Sequence, residues 1–121
     1  MEKNKKTYLE TEERPWGRYF VIHDEKNYKL KRIEVESGQR LSYQYHQQRS
    51  EAWTIISGEA FITLDEVSVN YVQGQTIIIP QGTKHRVENK GKSLLVFIEV
   101  QTGNYFGEDD IIRLEDDYNR K

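Results

Sequence analysis

The residues with the clearest chemistry carry imidazole, carboxylate and carboxamide groups, all of which can bind divalent metal ions. Three of them lie close together in the sequence, and a fourth lies further on: Gln44, His46, Glu51 and His85. Gln44 and His46 are two residues apart in a strand-like stretch. Their side chains are therefore expected on one face, about 6–7 Å apart at the backbone. Ligand bonds of about 2 Å would let both reach one ion.

The other two residues complete a set of four candidate ligands. Glu51 follows a polar turn and opens the next predicted strand, and His85 lies in a separate segment. One Gln, two His and one Glu leave open positions on an ion of five or six coordination, which is typical of a catalytic metal site. The chain has no Cys, so a thiolate site and a disulfide framework are excluded. The third histidine, His23, lies in a charged turn and is expected at the surface.

The elements that must position these residues are strands. Short strand-like runs alternate with turn signals, and no segment has a helical period longer than about a turn, which predicts an all-β sandwich or barrel. Segment 59–64 is expected to pair with 52–57 as a hairpin, and the apolar run 76–79 to be buried on both faces. A change in the apolar pattern at Lys31-Arg32 predicts a bulge or a twist. Segment 110–115 fits either a short strand or one helical turn.

Length and charge limit the classes of protein that fit. The chain has 121 residues, which suits a single domain. Residues 1–13 are polar and predict an N-terminal arm, with the domain spanning 14–121. The net charge of −2, with both signs interspersed, argues against nucleic-acid binding. No signal peptide and no run of about 20 apolar residues is present, so a cytoplasmic protein without membrane contact is expected.

Two blocks of the sequence have the residues and spacings of a paired motif. The first block contains Gly38, Gln44, His46, Glu51 and Gly58, and the second contains Gly74, Pro80, Gly82, His85 and Asn89. These blocks resemble the two motifs of the cupin superfamily, except that Gln44 stands where many cupins have His. The resemblance implies a jelly-roll, double-stranded β-helix barrel in which the four candidate ligands bind one metal ion.

A longer set of matches resembles one family of cupins, the type II mannose-6-phosphate isomerase domain. They cover about residues 13–120 and include 14–17, 28–33, 41–46, 49–53, 79–89, 98–103 and 105–111. In many bacteria this domain follows a mannose-1-phosphate guanylyltransferase domain, for which 121 residues leave no room. The isomerase domain is therefore expected to stand alone, and the resemblance and the aromatic content favour a homodimer.

The resemblance implies interconversion of mannose 6-phosphate and fructose 6-phosphate, which would supply GDP-mannose and polysaccharide precursors. The reaction needs proton transfer between C1 and C2 through an enediol, assisted by a divalent ion (Zn²⁺, Co²⁺, Mn²⁺, Ni²⁺ or Fe²⁺). Glu99, Glu88 and Arg49 are the candidate catalytic residues. Arg49, Arg86 and Arg14 are the candidates for binding the phosphate of the sugar.

The sequence departs from the family at three positions. Gln47, Gln48 and Ala52 stand where the family commonly has histidines. A non-catalytic sugar-phosphate or carbohydrate-binding cupin is therefore a second hypothesis, and another metal-dependent cupin enzyme is a third. Gln44 argues against an oxygenase. The acidic residues at 109–110 and 115–117 are expected to be solvated or to form a salt-bridged tail.

Overall fold

The computed structural model describes residues 8–120, which form eleven β-strands and no helix. The strands are β1 (Glu10–Arg14), β2 (Gly17–Asp24), β3 (Tyr28–Val35), β4 (Tyr43–Tyr45), β5 (Arg49–Ser57), β6 (Ala60–Leu64), β7 (Val67–Tyr71), β8 (Thr76–Ile79), β9 (His85–Glu88), β10 (Leu95–Gly103) and β11 (Ile112–Glu115). Over these residues the predicted all-β class is confirmed. No helix among them is long and apolar enough to cross a membrane.

The strands form two antiparallel sheets. The larger sheet has the order β1-β2-β3-β10-β5-β8, and the smaller one has the order β11-β4-β9-β6-β7. Strand β5, which carries Glu51, belongs to the larger sheet, and strand β9, which carries His85, belongs to the smaller one. Their inward-facing side chains meet in the interior between the sheets.

The interior has an apolar end and a polar end. Along β10 the inward-facing residues change from Leu95 and Phe97 to Glu99 and Gln101, all of which are buried. The neighbouring strands change at the same level, since Phe97 pairs with Ile33 and Ile55, whereas Glu99 pairs with Lys31 and Trp53. Charged side chains are rarely buried unless they are paired or functional, so the polar end is the candidate site.

The predicted bulge at Lys31-Arg32 is wrong. The pairing of β3 runs unbroken through these residues, and Lys29, Lys31, Ile33 and Val35 all face the interior. The irregularity lies in β2, between Val21 and His23. The apolar pattern changes in the sequence because the interior itself becomes polar at Lys31, not because the strand changes face.

The predicted hairpin between 52–57 and 59–64 is also wrong. Strand β5 pairs with β8 and β10, whereas β6 pairs with β7 and β9 in the other sheet. The chain crosses between the sheets at Gly58, which has a φ of +82°. A Cβ there would lie 2.7 Å from the carbonyl oxygen of Leu94, so this crossing requires glycine.

The apolar run Thr76–Ile79 is buried on one face only. Ile77 and Ile79 are buried, whereas Ile78 is 61% exposed, so the prediction of two buried faces is wrong. The reason is that nothing in the described chain covers the outer face of the sheet at β8, whose residues alternate between exposed and buried.

The polar N-terminal segment contributes an edge strand. Residues 1–7 lie outside the described residues, but Glu10–Arg14 pair with β2 along their whole length, so the strand crosses the predicted boundary at residue 14. An edge strand of this kind needs few apolar residues, which explains its polar sequence. The undecided segment at 110–115 forms strand β11, which pairs with β4.

Candidate metal centre

Three predicted ligands form one buried cluster. His46 follows β4, Glu51 lies in β5 and His85 begins β9, and one ligand atom from each lies within 4.8 Å of the others. Each of the three residues is no more than 3% exposed. The Nε2 atom of His46 lies 3.2 Å from Oε2 of Glu51. These distances allow all three side chains to bind one ion after small rotations.

Hydrogen bonds set which ring nitrogen of each histidine faces the cluster. The Nδ1 atom of His46 donates to the carbonyl oxygen of Asp110 over 2.7 Å, and Nδ1 of His85 donates to the carbonyl oxygen of Thr83 over 2.9 Å. Each Nε2 atom therefore carries a lone pair, as a metal ligand must. Nε2 of His85 is buried and has no hydrogen-bond partner among residues 8–120, as expected of an atom that is available to bind a metal ion.

The predicted ligand Gln44 lies beside this cluster. It pairs directly with His85 across β4 and β9, and its Nε2 atom is 3.4 Å from Nε2 of His46. Its Oε1 atom accepts a hydrogen bond from Oγ of Ser42 over 2.5 Å. A 180° rotation of the amide would turn Oε1 towards the cluster, and Nε2 would then donate to Ser42. The four predicted ligands are thus within reach of one position.

The charges of the cluster suit metal binding. Burial alone would raise the pKa of Glu51, but the neighbouring His46, Arg49 and His85 lower it. Of these three neighbours, only Arg49 is charged at every pH near neutrality. Arg49 donates from Nε to Oε2 of Glu51 over 2.8 Å, and Trp53 donates from Nε1 to Oε1 over 2.9 Å. Burial lowers the pKa of His46 and of His85. The carboxylate is therefore ionised and both imidazoles are neutral at neutral pH.

Glu99 lies at the same polar end and lines the cavity. Its burial, together with the nearby charge of Glu51, raises the pKa of Glu99 to about 8. Gln101 donates from Nε2 to Oε2 of Glu99 over 2.6 Å. A carboxyl group with a pKa near neutrality is suited to taking up and releasing a proton, so Glu99 fits the role predicted for it.

The structure does not bring Glu88 to this cavity. Val87 faces the core, whereas Glu88 is half-buried on the other face of β9 and lines a shallow outer groove with Arg40 and Lys90. Glu88 is not among the residues that line the cavity, so its prediction as a catalytic residue is corrected.

The three predicted phosphate-binding arginines all line the cavity, at different depths. Arg49 is 3% exposed and is held by Glu51. Arg86 donates to the carbonyl oxygen of Leu41 over 2.9 Å and is paired with Glu115. Arg14 is more exposed and donates to the hydroxyl of Tyr19 over 3.3 Å. Arg49 is therefore bound to a ligand of the candidate metal site, and Arg14 lies nearer to the solvent.

The sequence did not predict that a buried lysine forms an ion pair in the same cavity. Nζ of Lys31 lies 2.5 Å from Oε2 of Glu108 and 4.1 Å from the centre of the Tyr19 ring. The available signal was that Lys31 shares a strand face with Ile33, two residues away. Its partner lies 77 residues further along the chain, and no local pattern connects the two.

Asp110 corrects the expectation that the acidic residues at 109–110 are solvated. Asp110 is 7% exposed, and its carboxylate accepts hydrogen bonds from the backbone N–H groups of Gln47 and Gln48, over 3.0 and 2.9 Å. Since its carbonyl oxygen also accepts from His46, Asp110 orients the loop that carries a predicted ligand.

The prediction that the acidic residues at 115–117 form a salt-bridged tail is confirmed by the pairs Asp116–Arg120 and Asp117–Arg40.

The positions where family histidines are replaced lie outside the cavity lining. Gln47 and Gln48 are exposed, because β4 ends at Tyr45 before reaching them. Ala52 faces outward beside Ile78 of β8. None of these three side chains lines the cavity. His23 is exposed and bonds to Tyr28, which confirms its predicted surface position.

Two facing antiparallel sheets with a buried His/Glu/His cluster at one end define a cupin, and solved structures agree. The cupin domain of Schizosaccharomyces pombe Cnp3 has a TM-score of 0.69 at 14% identity, covering 71% of this chain and 64% of that one. A Klebsiella pneumoniae protein with a double-stranded β-helix domain has a TM-score of 0.71 at 20% identity, covering 92% and 90%. These identities support the fold alone.

Sequence comparison identifies the family. The model described as "Mannose-6-phosphate isomerase C-terminal" matches residues 1–116, so the chain belongs to that family. The xanthan biosynthesis protein XanB of Xanthomonas campestris pv. campestris is 46% identical, and a mannose-1-phosphate guanylyltransferase of Salmonella montevideo is 44% identical, each over 88% of this chain. The chain spans about a quarter of their length, 23% in both cases.

Proposed function

We propose that this chain is a metal-dependent aldose–ketose isomerase that interconverts mannose 6-phosphate and fructose 6-phosphate. The observation that carries the proposal is the buried cluster of His46, Glu51 and His85, in which both imidazoles direct Nε2 inward. Membership of the mannose-6-phosphate isomerase family supports the choice of reaction and substrate.

The predicted ligands Gln44, His46, Glu51 and His85 would hold one divalent ion, whose identity the donor set leaves open among first-row metals. When bound, such an ion supplies a Lewis acid for the carbonyl and hydroxyl oxygens of the sugar. Trp53 packs against the ring of His85 with centroids 5.6 Å apart and separates the site from the apolar end of the interior. This packing fixes the ring of His85 and excludes water from the side of the site that faces the apolar interior.

Glu99 is the proposed proton carrier. Its carboxyl group lies in the same cavity, and its pKa of about 8 lets it release and recover a proton near neutral pH. Lys31 pairs with Glu99 across β3 and β10 and provides a positive charge opposite it. A proton moved between C1 and C2 needs one such group within hydrogen-bond reach of both carbons.

The arginines supply the positive charge that a phosphorylated sugar requires. Arg14, Arg49 and Arg86 line the cavity from β1, β5 and β9, so cations surround the bound substrate on several sides. Guanidinium groups bind phosphate oxygens through paired N–H donors. The names of the relatives, which include xanthan biosynthesis and mannose-1-phosphate guanylyltransferase, support a role in supplying GDP-mannose for polysaccharide precursors. The homodimer and the cytoplasmic location stay predictions.

A coupled assay tests the proposal. Purified protein is treated with chelator, reloaded with Zn²⁺, Co²⁺, Mn²⁺, Ni²⁺ or Fe²⁺ in turn, and supplied with mannose 6-phosphate. We expect turnover with at least one ion and none with chelator. Absence of turnover with every ion would contradict the isomerase and favour the second hypothesis, a non-catalytic sugar-phosphate-binding cupin.

A further inference from the structure

A row of side chains crosses three strands of the smaller sheet and ends at an arginine that the predicted site does not include. Arg113 of β11 pairs directly with Gln44 of β4, and Gln44 pairs directly with His85 of β9. Residues that pair directly in antiparallel strands point to the same face of the sheet. Neighbouring strands are about 4.8 Å apart, so Arg113 lies about 5 Å from Gln44 and about 10 Å from His85 at the backbone.

Two further arginines line the same cavity near Arg113. Arg120 comes from the C-terminal segment, where Asp116 accepts from its Nε and Nη2 atoms over 3.0 Å each and fixes the guanidinium. Arg14 ends β1 in the other sheet, where Tyr19 and Glu12 orient it. The three guanidinium groups therefore come from both sheets and from the tail, and they converge on the cavity that contains the metal ligands.

The charges around Arg113 favour an anion. Burial lowers the pKa of Arg113, and the positive charges of Arg120 and Arg14 lower it further, although Asp116 and Glu108 partly offset them. A dianionic group bound among the three arginines would relieve their mutual repulsion.

The size of the cavity favours the same position. Its volume is about 60 Å³, which holds an ion and a few water molecules. A hexose phosphate with one end at the ligands must therefore extend towards the more open rim. The carbon chain of such a sugar spans about one to two strand spacings, about 5–10 Å, which is the separation between the metal ligands and Arg113.

We propose that Arg113, assisted by Arg14 and Arg120, binds the phosphate group of the substrate while the C1–C2 end of the sugar lies at the metal ligands. This assignment rests on the proposed function, since it takes a sugar phosphate as the ligand of the cavity. It makes Arg113 the residue that distinguishes a phosphorylated sugar from a neutral one, with Arg49 acting deeper in the cavity beside Glu51.

Calorimetric titration of the full purified chain tests the assignment, with mannose 6-phosphate, inorganic phosphate and mannose as separate ligands. We expect Arg113→Gln to weaken binding of mannose 6-phosphate and of phosphate about 10-fold to 100-fold, as for the loss of a charged hydrogen-bonded pair. Arg113→Lys should fall between Arg113→Gln and the wild type, because it keeps the charge but not the paired donors. Arg14→Gln should weaken the same two ligands.

The matched control is Arg32→Gln, which removes an arginine on the outward face of β3 that is paired with Glu34. It should bind all three ligands as the wild type does. Unchanged phosphate binding in correctly folded Arg113→Gln and Arg14→Gln, or equal binding of mannose and mannose 6-phosphate by the wild type, would overturn the assignment. Phosphate binding that depends on Arg113 in a protein without turnover would support it while contradicting the isomerase.

Discussion

At the scale of single residues, the chemistry of the site depends on the second contact that each ligand makes. His46 and His85 each use Nδ1 to bond a backbone carbonyl oxygen, which leaves the lone pair of Nε2 facing the cluster. Their sequence spacing was sufficient to predict them as ligands. The contacts that prepare them were not predictable, because Asp110 lies 64 residues from His46 and no local pattern relates the two.

Glu99 gives a prediction about pH. In the folded protein its pKa is about 8, against an ordinary value of 4.5. Between these values the unfolded chain has lost a proton that the folded chain still holds, so stability falls as the pH rises from about 4.5 to 8. In chelator-treated protein, the free energy of unfolding should fall over this pH range in both proteins. We expect the fall in Glu99→Gln to be smaller than that in the wild type by about 1–3 kcal/mol.

Urea unfolding at a series of pH values measures this difference. Glu88→Gln is the matched control, because it removes a carboxyl group from the same sheet region as His85 but outside the cavity, and it should keep the wild-type slope. Parallel curves for Glu99→Gln and the wild type would show that Glu99 does not hold its proton in the folded state. Added metal ion should move the wild-type transition to lower pH, because a nearby cation favours the carboxylate.

At the scale of elements, the segment between β10 and β11 closes the polar end of the interior. It contributes Glu108 to Lys31, the carbonyl oxygen of Gly107 to Arg49, and Asp110 to the loop after β4. Its sequence is acidic, which predicted a solvated surface. The prediction failed at Asp110 because two backbone N–H groups, at Gln47 and Gln48, have that carboxylate as their acceptor.

Removal of this acceptor should destabilise the loop. We expect Asp110→Ala to lower the free energy of unfolding by about 1–3 kcal/mol, because it leaves partly buried donors without a partner. It should also speed hydrogen exchange at the amides of Gln47 and Gln48. The neighbouring variant Asp109→Ala loses only an exposed contact with Tyr105 and should change stability by less than about 0.5 kcal/mol. Equal effects of the two variants would contradict this role of Asp110.

At the scale of the whole molecule, one interior combines an apolar end that stabilises the fold with a polar end that contains the candidate site. The motif residues and the alternation of short strands were sufficient to predict the all-β class and the residues that form the buried cluster. The pairing of strands was harder to predict, because consecutive strands β5 and β6 belong to different sheets. Likewise, the burial of Lys31 was not predictable, because lysines usually lie at the surface and the pairing of Lys31 with Glu99 joins distant parts of the chain.

The apolar end should therefore account for much of the stability. Phe97 is fully buried and packs on Trp53 with ring centroids 4.8 Å apart. We expect Phe97→Ala to cost about 3–5 kcal/mol in the free energy of unfolding, from the lost burial and the cavity it leaves. Val67→Ala, at a position 65% exposed on β7, should change it by less than about 0.5 kcal/mol. Chemical unfolding measures both, and a small effect of Phe97→Ala would place the core elsewhere.

The central claim is that His46, Glu51 and His85, with Gln44, bind one divalent ion. Elemental analysis of purified protein after reloading and desalting tests it most directly, with His85→Ala as the test variant and His23→Ala as the matched surface control. Loss of a residue that only hydrogen-bonds to a metal ligand typically lowers metal affinity about 10–100-fold, so loss of a ligand itself should lower it further. We predict one equivalent of metal in the wild type and in His23→Ala and almost none in His85→Ala. Equal metal content in all three proteins, or none in the wild type, would contradict the claim.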